Sequence, residues 1–145
     1  MYVERTFTVS RPVEAVFSYL SDFENTEEWD PGTVETTRIS GDGGLGTTYA
    51  NTSKFMGREV ELTYETIGHD EPTFFACRGR NKTATATDSM TFTRDGDRTQ
   101  IHYRADFEFH GILKFVAPLV VKGKLDSLAD ETVEQMCRAL ESGPA

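Results

Sequence analysis

Polar and apolar residues alternate along most of this chain. Residues 3–9, VERTFTV, put Val3, Phe7 and Val9 on one side and Glu4, Thr6 and Thr8 on the other, which predicts a strand. Pro12 then fits the first turn of a helix, where its missing N–H is not needed. Val13, Val16, Phe17 and Leu20 follow as an apolar stripe at helical spacing. Ser21-x-x-Glu24 reads as a capping box for a second short helix reaching about Trp29, and Asp30-Pro31-Gly32 stops it. After residue 32 the period of two returns. It predicts strands over 34–40, 47–55, 58–67, 73–80, 83–94 and 99–109, separated by turn residues such as Gly41-Asp42-Gly43-Gly44 and Asp95-Gly96.

The last part of the chain changes period again. Leu125, Leu128, Ala129, Thr132, Val133, Met136 and Leu140 fall on one face at a spacing of 3.6, with Asp126, Asp130, Glu134, Arg138 and Glu141 opposite. This predicts a helix from about 121 to 141, and Pro118 is expected to bend or break whatever precedes it. The order is therefore strand, two short helices, six-strand meander, long helix: an α+β chain with one seven-stranded antiparallel sheet. A sheet with one apolar face and a helix with one apolar stripe bury each other most simply if the sheet curves around the helix. The whole of 1–145 reads as one domain, without repeats or linkers.

Composition narrows the function classes. The chain carries 24 acids against 15 bases, a net charge of −9, which disfavours a phosphate backbone as partner and hence nucleic acid. No apolar run is long enough to span a bilayer, so no stable membrane insertion is expected. The first residues lack a signal-peptide pattern, which points to the cytoplasm. Cys77 and Cys137 lie far apart and match no metal spacing, and read as two reduced thiols.

Obvious chemical motifs are weak. The loop GDGGLG, residues 41–46, lacks the Lys and Ser/Thr of a phosphate-binding loop and joins strand to strand, so it reads as a hairpin turn. His69, in the turn before Pro72, and His102 and His110 are not paired at ligand spacing, and neither a metal nor another cofactor is expected. Polar groups among apolar ones are more informative. Asp88 alternates with Met90 and Phe92, and Arg78 shares a face with Phe74 and Ala76. If both point inward, they are polar contacts of the kind an amphipathic ligand requires. Otherwise both reach water at twisted strand ends. Tyr49, Tyr64 and Tyr103 sit at alternating positions consistent with the concave face, with Phe107 and Phe109 toward one end together with Phe115 and Val116. Trp29, the only tryptophan, reads first as the apolar anchor of its acidic short helix and second as a rim residue touching ligand; the acids around it read as a solvated face. Residues 111–121, GILKFVAPLVV, are apolar enough for core, a cavity lid or a membrane-brushing patch.

The segment PVEAVFSYLSDFENTEEWDPG, then Gly46-Thr47, VELTYETIGHDEP, GDRTQIHYRADFEF and a closing helix resemble the START-like superfamily, and within it the polyketide cyclase/dehydrase-like branch. The resemblance covers nearly the whole chain. It implies a helix-grip fold, with a curved sheet holding the terminal helix and a cavity between them. It also implies a small hydrophobic or amphipathic ligand, aromatic or lipid-like. Three functions follow as expectations: binding of such a ligand; an enzyme of the polyketide cyclase/dehydratase type, with Tyr64, Tyr103, Arg78 and Asp88 as the chemical groups; or a partner-binding surface without ligand. Trp29, Tyr49, Tyr64, Arg78, Asp88, Met90, Tyr103 and Phe107 are the candidate contacts. Ligand identity, turnover and oligomeric state stay open at this stage.

Overall fold

Each alternating run becomes a strand of a single antiparallel sheet. The computed structural model describes residues 1–111 and 113–142, with side chains from 113 and 116–120 excepted. The order is β1 (Tyr2–Val9), α1 (Val13–Leu20), a 3-10 turn (Phe23–Asn25), α2 (Thr26–Trp29), β2 (Thr33–Ser40), β3 (Thr48–Phe55), β4 (Arg58–Asp70), β5 (Phe74–Arg80), β6 (Ala84–Asp95), β7 (Arg98–Phe109) and α3 (Leu113–Glu141). Strands pair in the order β1-β7-β6-β5-β4-β3-β2, so the meander runs from β2 to β7 and the first strand closes beside the last. The two-residue turns at Met56-Gly57 and Gly96-Asp97 keep β3–β4 and β6–β7 in register.

The sheet grips α3, as expected from the two apolar faces. Val121, Leu125, Ala129, Met136 and Leu140 are the buried stripe of that helix. Polar ties fix its height. Arg5 Nε donates to Asp130 Oδ1 at 2.9 Å, Arg11 Nη1 to the Leu140 carbonyl at 3.1 Å, and the Ser10 N–H to Glu141 Oε2 at 2.9 Å. Helix α3 starts at Leu113, eight residues before the expected 121, and there is no helix break at Pro118. A proline forfeits only its own backbone bond and crowds the turn before it; the residues preceding it keep their helical partners. The expectation for 111–121 as core, lid or patch falls largely on side chains outside the described set.

Irregularities supply the curvature. Register shifts interrupt β2 at Thr33/Glu35 and Arg38/Ser40, and β4 at Thr66/Gly68, and such extra residues bend a strand and sharpen its twist. The shift in β4 has a second effect. Thr66 pairs with Cys77, but His69 pairs with Phe75, so His69 belongs to the strand and turns inward. Its ring meets Phe17 edge-on at 5.1 Å. The expectation of a turn histidine there was wrong because strict alternation cannot count a bulge residue.

The acids around Trp29 also do more than face water. Strand β2 lies at the sheet edge, where backbone N–H groups lack a neighbour. Glu27 Oε2 accepts the Thr36 N–H at 2.9 Å and Glu24 Oε2 accepts the Arg38 N–H at 2.8 Å. The cap of the turn is Asp22, which accepts the Glu24 N–H, and Ser21 instead ends α1. Two carboxylates thus take the place of an eighth strand, while Trp29, 1% exposed, anchors their helix in the core.

Candidate functional site

Two ends of the concave face differ in filling. Under α1 the side chains close up. Phe17 stacks edge-on against Phe92 at 5.9 Å. Phe23 touches Trp29, Tyr49, Tyr64 and Phe75 at ring separations of 4.7–6.3 Å. Val9, Leu20, Phe75, Met90 and Ile101 are fully buried there. Toward the other end, beneath the first described turns of α3, a cavity of about 400 Å³ remains. That volume lies within the range of small-molecule sites, about 300–1,000 Å³. Its apolar wall includes Val60, Leu62, Phe107, Phe109, Leu125 and Ala129. A wider groove of about 930 Å³ between α1 and the end of α3 is an open surface feature lined by side chains such as Arg11, Tyr19 and Arg138.

The inner end of the cavity is polar. Asp88 shares the inward face of β6 with the buried Ala86 and Met90 and lines the cavity. Tyr103, on the adjacent β7, donates its hydroxyl to Asp88 Oδ1 at 2.7 Å. Trp29 supports the Tyr103 ring edge-on at 6.2 Å. Asp30, the residue after Trp29, also lines the cavity. Its carboxylate is held by the Thr33 hydroxyl at 2.7 Å and the Gly32 N–H at 3.3 Å. Tyr64 comes from β4, and its ring lies flat on Gly79 of β5. A Cβ at position 79 would sit 2.6 Å from the ring, so only glycine leaves room.

Burial raises every acidic group of this cluster. It pushes Asp88 up to about 7; the Tyr103 hydroxyl acts the other way, and the charges of Asp30 and Asp106 add to the rise. Asp30 is also raised by burial, opposed by its bonds to Thr33 and Gly32. Tyr64 and Tyr103 are held well above the usual phenol range, first by burial and then by the carboxylate of Asp88. A half-buried carboxyl that changes protonation near neutrality, bonded to a phenol, can orient a polar ligand group or exchange a proton with it. Among the described residues no cluster of three or more His, Cys, Asp or Glu could hold a metal ion. Cys77 is buried, its thiol raised by burial, and is no ready nucleophile.

One protein family, described as polyketide cyclase / dehydrase and lipid transport, matches residues 2–141. The chain belongs to this family. Solved structures share its fold at low identity. A protein from Thermus thermophilus superposes with a TM-score of 0.76 at 17% identity, over 97% of this chain and 94% of that one. The Zhui aromatase/cyclase from a Streptomyces species gives 0.73 at 16% identity, over 98% and 96%. A START superfamily protein from Mycobacterium smegmatis gives 0.70 at 19% identity, over 97% and 94%. A comparison with curated proteins finds no match. At such identities these structures bear on the fold alone.

In this member of the polyketide cyclase / dehydrase and lipid transport family, the eight candidate contacts separate into three groups. Tyr64, Asp88, Tyr103 and Phe107 line the cavity. Trp29, Tyr49 and Met90 are in the packed core behind it. Arg78 is on the other face of the sheet. It pairs with Glu65 and Thr87, whereas Tyr64 and Ala86 pair with Gly79, so Arg78 and Tyr64 point to opposite sides. Two core hydrogen-bonding atoms, Trp29 Nε1 and the Tyr49 hydroxyl, find no partner among the described residues. Burial raises the Tyr49 phenol. Asp30 was missed. Its signal was adjacency: a tryptophan anchored in the core carries the next residue with it, but Asp-Pro-Gly reads as a helix stop.

Proposed function

We propose that the chain binds a small apolar or amphipathic molecule between its sheet and α3. The observation that carries this reading is the cavity of about 400 Å³ with an apolar wall and a polar inner end. Affinity would come from buried apolar area, about 25 cal/mol per Å², and orientation from Asp88 and the phenols of Tyr64 and Tyr103. Membership of a family described by both cyclase and lipid transport functions accords with such a guest. A second reading is an enzyme of the polyketide cyclase/dehydratase type. The hydrogen-bonded Asp88–Tyr103 pair favours it, because a carboxyl titrating near 7 is suited to proton transfer. A partner-binding surface without ligand called for a concave face packed throughout, and the void weighs against it.

The test begins with mass spectrometry of whatever co-purifies, followed by thermal-shift screening against aromatic and lipid-like compounds. A bound guest raises Tm by an increment that grows with its concentration. The variant Ala86→Leu extends a side chain into the void. It should keep the fold by circular dichroism and lose at least about tenfold in affinity for any hit. A hit bound equally well by Ala86→Leu would place the binding site elsewhere.

A further inference from the structure

Asp88 and Asp30 reach the same cavity from unrelated parts of the chain, and neither meets a base. Asp88 Oδ1 accepts the Tyr103 hydroxyl, whereas its Oδ2 has no hydrogen-bond partner among the described residues. The ion pairs found among the described residues involve other acids throughout. Lys54 and Arg58 also line this space, but both are exposed on the β3–β4 hairpin and neither pairs with Asp88 or Asp30. The titratable groups that act on or face Asp88 are Tyr103 and Asp106 of β7, Asp30, Tyr64 of β4, and Cys77 directly across on β5. None brings a positive charge. Helix α3 contributes only Val121, Leu125, Leu128, Ala129 and Thr132 to the described wall.

A half-buried carboxylate beside an apolar wall loses part of its hydration, and a protein usually supplies a counter-charge for it. Here it does not. The geometry points to a ligand with an apolar body and a protonated amine, the amine seated between Asp88 and Asp30 and the body against Val60, Leu62, Phe107 and Leu125. This rests on the cavity being the ligand site proposed above. A carboxylate head group would add a third acid to two. A hydrocarbon would leave both acids unrelieved. An amine instead favours the ionised form of Asp88, which is held up by burial. Binding therefore releases a proton below the pKa of Asp88 in the free protein, and affinity rises with pH until that group is already ionised.

The test uses the full chain and matched head groups: amine, alcohol, carboxylic acid and plain hydrocarbon, each on a naphthyl and on a hexyl body, measured by calorimetry. The amine is expected to bind at least about tenfold more tightly than the acid or hydrocarbon on the same body. It should gain affinity between about pH 6 and about pH 8, with proton release. Asp88→Asn should remove that gain with pH, and Asp30→Asn should weaken amine binding less. Should Asp88→Asn fail to fold, the pH dependence and the proton count of the unaltered chain decide. Equal affinity for the acid, the alcohol or the hydrocarbon overturns the assignment while leaving the cavity a binding site. Failure of all eight compounds to bind overturns the binding reading as well.

Discussion

The two ends of the concave face are made of similar residue types and do different things. At the α1 end, Phe17, Phe23, Phe75, Phe92 and Trp29 fill the space between sheet and helices. At the α3 end, Leu62, Phe107 and Phe109 are only half-buried around a void. The difference comes from what lies above the sheet. Helix α1, the 3-10 turn and α2 lower aromatic side chains onto one end, while α3 faces the other with aliphatic and small residues, Val121, Leu125, Leu128, Ala129 and Thr132. One end is therefore filled and the other keeps a void, and the Tyr64–Asp88–Tyr103 group stands between them.

This contrast can be broken by substitution. The largest effect is expected at the packed end. Phe75→Ala should cost about 3–5 kcal/mol in chemical denaturation, because a fully buried ring leaves a cavity its neighbours cannot close. Leu62→Ala should cost less than half as much, since its side chain already borders empty space. Equal losses would mean that the two ends are packed alike.

Between them in size stands Gly79→Ala. The added methyl meets the Tyr64 ring, so the ring must move. A loss of about 1–3 kcal/mol is expected, as for other overpacked sites. Weaker binding of any cavity ligand should accompany it. Unchanged stability and affinity would show that the ring has another seat.

The smallest effect should come from Asp88→Asn, because water enters the partly open cavity and screens the charge. Burial raises Asp88 above its unfolded value, so the folded chain holds its proton up to about pH 7 whereas the unfolded chain gives it up near the ordinary carboxyl value of 3.8. The contribution is complete at low pH and is lost as pH rises toward 7. Relative to the parent, the asparagine variant should gain about 2–4 °C in Tm between acid and neutral pH. A gap that does not change with pH would place Asp88 in water.

Much of the fold was legible because alternation and helical spacing are local signals. The face of β7 with Ile101, Tyr103, Ala105 and Phe107 stands in the sequence as it stands in the sheet. Sidedness was harder. Strand β5, FFACRGR, is apolar on both faces, so its own pattern does not say whether Arg78 or Cys77 points inward. Only the register against β6, which sets Cys77 opposite Asp88, decides it. Asp88 itself was readable from Met90 and Phe92 beside it. Asp30 was hidden by its local role as a helix stop, and the edge-capping by Glu24 and Glu27 was hidden because a carboxylate that accepts a backbone bond looks, in sequence, like any solvated acid.

One side of the Tyr64 ring lies on the bare main chain of Gly79, while the Phe23 ring meets it at 4.7 Å. On the Gly79 side no side chain can yield, so displacement of the ring toward β5 has to be carried by the ladder joining β4 to β5. A guest pressing on the phenol would therefore alter how often those strands open, and amide hydrogen exchange near Gly79 becomes a gauge of whether the chamber is filled.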